Sequence, residues 1–365
     1  MDYRYSKFDP RKLALQKLLD QLQNIFNQLI LQTNGDVEEA LEYLEYFGER
    51  YGFFNESFTI EDFKKYLEKD RQIQKAAEGR FELTRKGEQV IRSAALENIF
   101  SSLRKDSAGN HRVPDSGVGG ERLPETRGFQ FGDSVDLIHP TATLSNAIKR
   151  AGIDDLSIVE EDFEVFETEH TSSCATVLMV DVSHSMILYG EDRITPAKQV
   201  ALALTELINT RYPKDSVDVV LFGDEAWEVS KDELPYIGVG PFHTNTRAGL
   251  QLAQLILRKK KQVNRQIFMV TDGKPSALTE RDGSIYKNPI GLDRRVVNKT
   301  LDEAANCRRL NIPVTTFMLT DDPTLVHFIE RFTQANRGRA YYSQPDKLGS
   351  FVFVDYIKNR RRNIR

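Results

Sequence analysis

The stretch Thr176-Val-Leu-Met-Val180 runs directly into Asp181-Val-Ser-His-Ser-Met186. A short apolar run rich in β-branched residues reads as a buried strand. The chemistry then changes at once, with a carboxylate and two hydroxyls at alternate positions: Asp181, Ser183 and Ser185. A turning, extended backbone places alternate side chains on one side. The strand therefore delivers three oxygen donors to one place.

The same alternation of apolar run and helical stretch continues downstream. Candidate strands are Ala175–Val180, Val217–Phe222, Gln266–Thr271, Val314–Leu319 and Arg339–Tyr342. Candidate helices are Thr195–Thr210, Thr246–Lys259, Val296–Leu310, Pro323–Ala335 and Pro345–Asn359. Continuous apolar strands that each lead into an amphipathic helix predict βα units. The expected fold class is α/β, a doubly wound, mostly parallel sheet of Rossmann-like type over residues 171–365, with a helical N-terminal region.

In such a sheet, ligands collect where loops leave the carboxyl ends of the strands. Two further loops carry relevant groups there. The strand Ile267-Phe-Met-Val-Thr271 ends in Asp272-Gly273, a second carboxylate followed by a residue that lets the chain turn. Between them, Pro241-Phe-His-Thr-Asn-Thr-Arg-Ala-Gly249 supplies Thr244 and Thr246 ahead of a helix. Taken singly, each of these is explained by a turn or a helix N-cap. Taken together, they form an all-oxygen donor set with no cysteine and no spaced histidine pair. Magnesium or manganese is the expected ligand, and zinc or copper is not.

Asp181-x-Ser183-x-Ser185, then Thr244, then Asp272 resembles the metal-ion-dependent adhesion site of the von Willebrand factor A (VWA) domain. The resemblance covers about residues 171–365, and all five motif positions are occupied. His184 departs from it, since such domains often have glycine there. The resemblance implies Asp181, Ser183, Ser185 and Thr244 as direct or near-direct metal ligands and Asp272 as acting through a water. It also implies a binding module rather than an enzyme, whose metal bridges to an acidic residue of another protein. The chain looks most like intracellular bacterial members such as the magnesium-chelatase D subunit, which work beside MoxR-type or chelatase-type AAA+ ATPases. An AAA+ ATPase partner is thus an expectation from resemblance alone.

Composition narrows the alternatives. The chain has 365 residues, with 50 Lys and Arg against 54 Asp and Glu, a formal net charge of −4. No overall basic field exists to hold nucleic acid. The basic clusters Arg258–Lys261 and Lys358–Arg365 sit at expected helix ends, where cations complement exposed carbonyls. The two cysteines, Cys174 and Cys307, make no disulfide framework. The start, Met-Asp-Tyr-Arg-Tyr-Ser-Lys, is polar, and no stretch is apolar enough to span a bilayer. A cytoplasmic location without membrane contact is expected. No Gly-x-x-x-x-Gly-Lys-Ser/Thr loop is present, so any ATP hydrolysis belongs to a partner.

One enzyme reading competes, a magnesium-dependent phosphohydrolase of the haloacid-dehalogenase type. It also uses an aspartate after the first strand, and commonly a second acid two residues on to protonate the leaving group. That position is Ser183 here, a poor general acid at neutral pH.

Outside the sheet, residues 1–104 read as a helical region, with Phe81–Gly87 as a strand and turn before a helix at Glu88–Phe100. Residues 105–128, rich in Gly, Ser and Pro, read as a linker or loop. Residues 129–170 read as a connecting segment with one helix and an acidic edge strand around Phe163, Val165 and Glu167.

Overall fold

The computed structural model describes residues 10–55, 58–76, 79–106, 122–130, 135–152, 157–168, 173–288, 290–320, 322–344 and 347–362. The N-terminal segment forms helices α1 (Pro10–Gln32), α2 (Val37–Tyr51) and α3 (Ile60–Lys69), a hairpin of β1 (Ile73–Lys75) with β2 (Phe81–Leu83), and helix α4 (Arg85–Asp106). Strand β3 (Arg122–Gly128), helix α5 (Pro140–Ala151) and strand β4 (Glu164–Thr168) follow. Strand and helix then alternate: β5 (Cys174–Asp181), α6 (Ile194–Arg211), β6 (Ser216–Phe222), β7 (Ala226–Val229), α7 (Thr246–Lys259) and β8 (Asn264–Thr271). A small hairpin of β9 (Ala277–Thr279) and β10 (Ile285–Lys287) precedes α8 (Arg294–Arg309), β11 (Val314–Met318), α9 (Pro323–Asn336), β12 (Arg339–Tyr342) and α10 (Leu348–Arg362).

The chain divides into two compact units, residues 1–106 with 174–354, and residues 107–173 with 355–365. The first holds a six-stranded sheet in the order β12-β11-β8-β5-β6-β7. All neighbours in it are parallel except β6 and β7. Chain order reverses at β5, which has β6 on one side and β8 on the other. This is the topological switch point where open sheets bind ligands. Register sets Asp181 opposite Phe222 and Val180 opposite Val270, so the ends of β5, β6 and β8 form one rim.

Both sheet faces are covered, which is why the central strands are apolar throughout rather than alternating. On one face Val177, Met179, Phe222 and Met269 join Leu250 of α7, Ala304 of α8 and Phe332 of α9 in one core. Gly249 lets α7 settle on that face, since a Cβ there would meet the Met179 side chain at 2.5 Å and Phe222 at 3.2 Å. On the other face Leu178, Val180, Phe268, Val270 and Phe317 are buried, and α6 lies against β5 and β6.

Helix α6 explains where the N-terminal helices go. Its sequence, with Val200-Ala-Leu-Ala-Leu204 at its centre, is buried nearly all round. A helix without a polar face needs cover on both sides, and α1 and α4 supply it. Polar locks fix this extra layer. The buried Lys198 ammonium donates to the Leu31 carbonyl, to Asn34 Oδ1 at 2.9 Å and to the Ile237 carbonyl at 2.9 Å. Burial pulls that ammonium down to about 8. Arg92 of α4 reaches Asp232 at 3.2 Å and Glu206 at 3.7 Å.

In the second unit β3 pairs antiparallel with β4, and Arg150 of α5 holds Asp162 at 2.8 Å. The expected linker, residues 105–128, thus ends in a strand at 122–128. Its Arg-Leu-Pro-Glu-Thr-Arg-Gly sequence has too few apolar residues to signal one, and the pairing with β4 supplies the order. The rest of that expected linker, 107–121, lies outside the described residues, as does the tail 363–365 of the C-terminal basic cluster. Among the described residues no helix is long and apolar enough to cross a membrane.

Candidate functional site

Asp181 is the last residue of β5 and is fully buried. Its Oδ1 accepts the Ser183 N–H at 2.9 Å, and its Oδ2 accepts the Thr271 hydroxyl at 2.7 Å. Thr271 ends β8, the neighbouring strand, so the carboxylate is clamped by its own loop and by the next strand. Burial first, and the charge of Asp272 second, push the Asp181 carboxyl well above the usual carboxylate range.

The Ser183 hydroxyl lies 3.1 Å from that of Ser185 and accepts the Thr244 hydroxyl at 2.9 Å. Ser183, Thr244 and Asp272 are all buried, while Ser185 is half-buried. The first and second loops are therefore joined side chain to side chain at the rim. Asp272 follows Thr271 directly, and Gly273 at φ +92° turns the chain away behind it, a conformation that L side chains rarely adopt. The Gly273 N–H donates to the Thr271 hydroxyl at 3.0 Å.

Thr244 is held from behind by the third loop. Its N–H donates to Ser276 Oγ at 3.0 Å, and its carbonyl accepts from the N–H groups of Ser276 and Ala277 at 2.9 and 3.1 Å. The residue that caps α7 is Asn245, whose Oδ1 accepts the Ala248 N–H at 3.1 Å. Neither Thr244 nor Thr246 performs that task, so the Thr244 hydroxyl has no capping role to explain it. Asn245 Nδ2 also donates to the Asp224 carbonyl at 2.9 Å and to Thr279 Oγ1 at 2.8 Å, tying the β9–β10 hairpin to the same loop.

Arg193 lies beside the rim. It is paired with Glu191 at 2.8 Å, and a second guanidinium nitrogen is 3.9 Å from Asp272 Oδ2. His184 is exposed. His243 stands 3.5 Å from Asp224 and its own N–H donates to the same carboxylate at 2.9 Å. Trp227 sits on the edge strand β7 in an edge-to-face contact with Phe242. Among the described residues no group of three or more His, Cys, Asp or Glu side chains is arranged so that it could hold a metal ion by itself. The rim is built of hydroxyls and two carboxylates. Cys174 and Cys307 are both buried and form no disulfide, and burial raises the Cys307 thiol to about 12, which makes it inert.

Sequence reading reached Asp181, Ser183, Ser185, Thr244 and Asp272 but not Thr271, Ser276, Asn245 or Arg193. Thr271 was legible as a hydroxyl at the last position of a strand next to β5. Ser276 carried no such signal, because its role depends on how two loops approach each other.

Residues 174–357 match the family model described as Rv0959-like protein, vWA domain, and residues 121–168 match that of its third domain. The Mycobacterium tuberculosis protein Rv0959 (strain ATCC 25618 / H37Rv) is 32% identical over 314 residues, 83% of this chain and 46% of that one. The Mycobacterium bovis protein Mb0984 gives the same figures. The chain thus spans about half the length of the curated relatives it matches. Among solved structures, the vWF domain of the type V pili tip protein Mfa5 from Porphyromonas gingivalis aligns with a TM-score of 0.41 at 12% identity, over 53% of this chain and 98% of that one. The PilB minor pilin from Streptococcus sanguinis aligns with a TM-score of 0.41 at 14% identity, over 57% of this chain and 66% of that one. The vWA model covers half of the sequence, from the first residue of β5 into α10, and the chain belongs to the Rv0959-like family of vWA-domain proteins.

Proposed function

We propose that this chain is a metal-dependent protein-binding module. Asp181, Ser183, Ser185 and Thr244 would hold a magnesium or manganese ion, with Asp272 acting through a water. The ion, when bound, supplies an electrophilic position for a carboxylate oxygen of another protein. The observation that carries this reading is the 2.9 Å bond from Thr244 to Ser183, which sets a hydroxyl of the second loop among those of the first, beside Asp181. The donor chemistry supports it further. Burial first, and then the charge of the neighbouring Asp272, raise the Asp181 carboxyl, and a cation is what such a pair favours. The donors are oxygens only, which matches a hard divalent ion.

The chain's own residues would do the rest. Thr271 and the Ser183 N–H orient Asp181, Ser276 positions Thr244, and the sheet holds the loops rigid. The partner is proposed to be an AAA+ ATPase of the MoxR or chelatase class, an assignment that rests on resemblance of the motif. The haloacid-dehalogenase reading gains nothing here, because Ser183 stands where an acid is needed.

Affinity capture from lysate, with magnesium or with chelator, tests the proposal. Partners that are retained only with magnesium, and only by the parent and not by Asp181→Ala, are expected. Identical captures under all four conditions would refute it, and phosphate release from generic phosphoesters by the pure chain would favour the hydrolase.

A further inference from the structure

Helix α2 carries a surface that its folding does not explain. It buries Val37, Ala40, Leu41, Leu44 and Gly48 against the rest of its unit. Glu38, Glu42, Glu45 and Glu49 recur at spacings of four, three and four, which places them in one row along the helix. Neighbouring like charges at such spacings destabilise a helix. Glu49 also lies in the last turn, where the helix dipole disfavours anions. Among the described residues, Glu42, Glu45 and Glu49 have no ion-pair partner, and the helix holds a single basic residue, Arg50. Local stability therefore argues against this row.

Beside the row runs an aromatic stripe. Tyr43, Tyr46, Phe47 and Tyr51 are 46%, 60%, 37% and 66% exposed. Single exposed apolar residues are ordinary, but contiguous ones mark contact surfaces. The first carboxylate of the row, Glu38, lines a cavity of about 410 Å³ with Asp36, Arg80, Glu82, Leu83 and Tyr236. Glu38 is fixed there by accepting the Phe81 N–H at 2.9 Å. The cavity is anionic on balance, with three carboxylates against one guanidinium. The Tyr236 hydroxyl donates to Glu88 at 3.1 Å, and burial first, then Glu88, with smaller contributions from Glu82 and Asp232, push it up to about 12.

We propose that the outer face of α2 and the cavity at its start form a docking site for a basic segment of a partner protein. Arginine or lysine side chains would meet the carboxylate row, one of them entering the cavity, while their apolar stems and cationic heads lie on the aromatic rings. The same field repels phosphate backbones and anionic lipid, so the occupant is polypeptide. This site is separate from the metal loops and does not depend on them.

The probe is a fluorescein-labelled arginine–leucine repeat peptide, followed by anisotropy with the full chain. The variant E38Q/E42Q/E45Q/E49Q keeps side-chain shape, and the carboxamide it places at position 38 can still accept the Phe81 N–H. Binding is expected to weaken by about tenfold or more in this variant and in Tyr43→Ala/Tyr46→Ala, with circular dichroism unchanged. Asp181→Ala and a control with equal charge change elsewhere, E225Q/E228Q/D302N/E330Q, are expected to bind like the parent. Absence of binding to the parent, or equal loss in the control, would overturn the proposal. So would a dimer in sedimentation that the α2 charge variant dissolves, since a second copy would then be the occupant.

Discussion

The Thr271 hydroxyl donates to Asp181 at 2.7 Å across the β5–β8 boundary, and the Ser183 N–H holds the other carboxylate oxygen at 2.9 Å. The orientation of Asp181 is therefore set at once by its own loop and by the neighbouring strand. Thr271→Val keeps the shape and removes the donor. Leaving a buried carboxylate oxygen short of a partner costs about 1–3 kcal/mol, read by urea unfolding, and magnesium uptake is expected to weaken about tenfold. Thr271→Ser, which restores the hydroxyl, is expected to recover both. Unchanged uptake in Thr271→Val would show that this bond does not matter to the rim.

Ser276 accepts the Thr244 N–H at 3.0 Å in a buried setting. Ser276→Ala is expected to lower stability by about 1–2 kcal/mol and to reduce metal uptake. Ser276→Thr is expected to preserve uptake. Calorimetric titration of the three proteins compares them directly, and equal uptake in all would remove Ser276 from the account.

Gly273 adopts φ +92° directly after Asp272, and a Cβ there would meet the Met318 methyl at 2.9 Å. Gly273→Ala is expected to cost about 1–3 kcal/mol through backbone strain. It should weaken metal uptake by shifting Asp272. A denaturation midpoint equal to that of the parent would contradict the strained turn.

Burial pulls Lys198 from 10.5 to about 8. The folded chain thus binds this proton less tightly than the unfolded chain does. Below pH 8 both states are protonated and the folded state bears the full penalty. Between pH 8 and 10.5 the unfolded state holds more protons, so the stability due to Lys198 rises with pH across that window. Relative to Lys198→Met, the parent is expected to gain up to about 3 kcal/mol between about pH 7 and 10.5. Parallel stability–pH curves for the two proteins would refute the shift.

What was legible in the sequence follows from what is local. The run Thr176–Val180, the alternation at Asp181, Ser183 and Ser185, and Asp272-Gly273 each declare themselves within a few residues. The alternation of strand and helix declared a parallel sheet, whereas the strand order around β5 is set by how the units pack and was not legible. The edge strand β7 was not legible, because Ala226-Trp-Glu-Val229 is short and its pairing with β6 depends on the tight turn at Gly223–Glu225. The β9–β10 hairpin was missed for a similar reason, its order coming from bonds to Thr244 and Asn245 rather than from its own pattern. The placement of α1 and α4 over α6 was written in Val200-Ala-Leu-Ala-Leu204, a helix with no face for water, although the N-terminal region read as a body of its own.

The central claim, that these rim oxygens hold a divalent ion, is tested most directly by calorimetric titration of magnesium or manganese into the purified chain. A saturable one-site uptake in the parent, absent in Asp181→Ala at unchanged circular dichroism, is the expected result. No uptake in the parent, or the same uptake in Asp181→Ala, would contradict it.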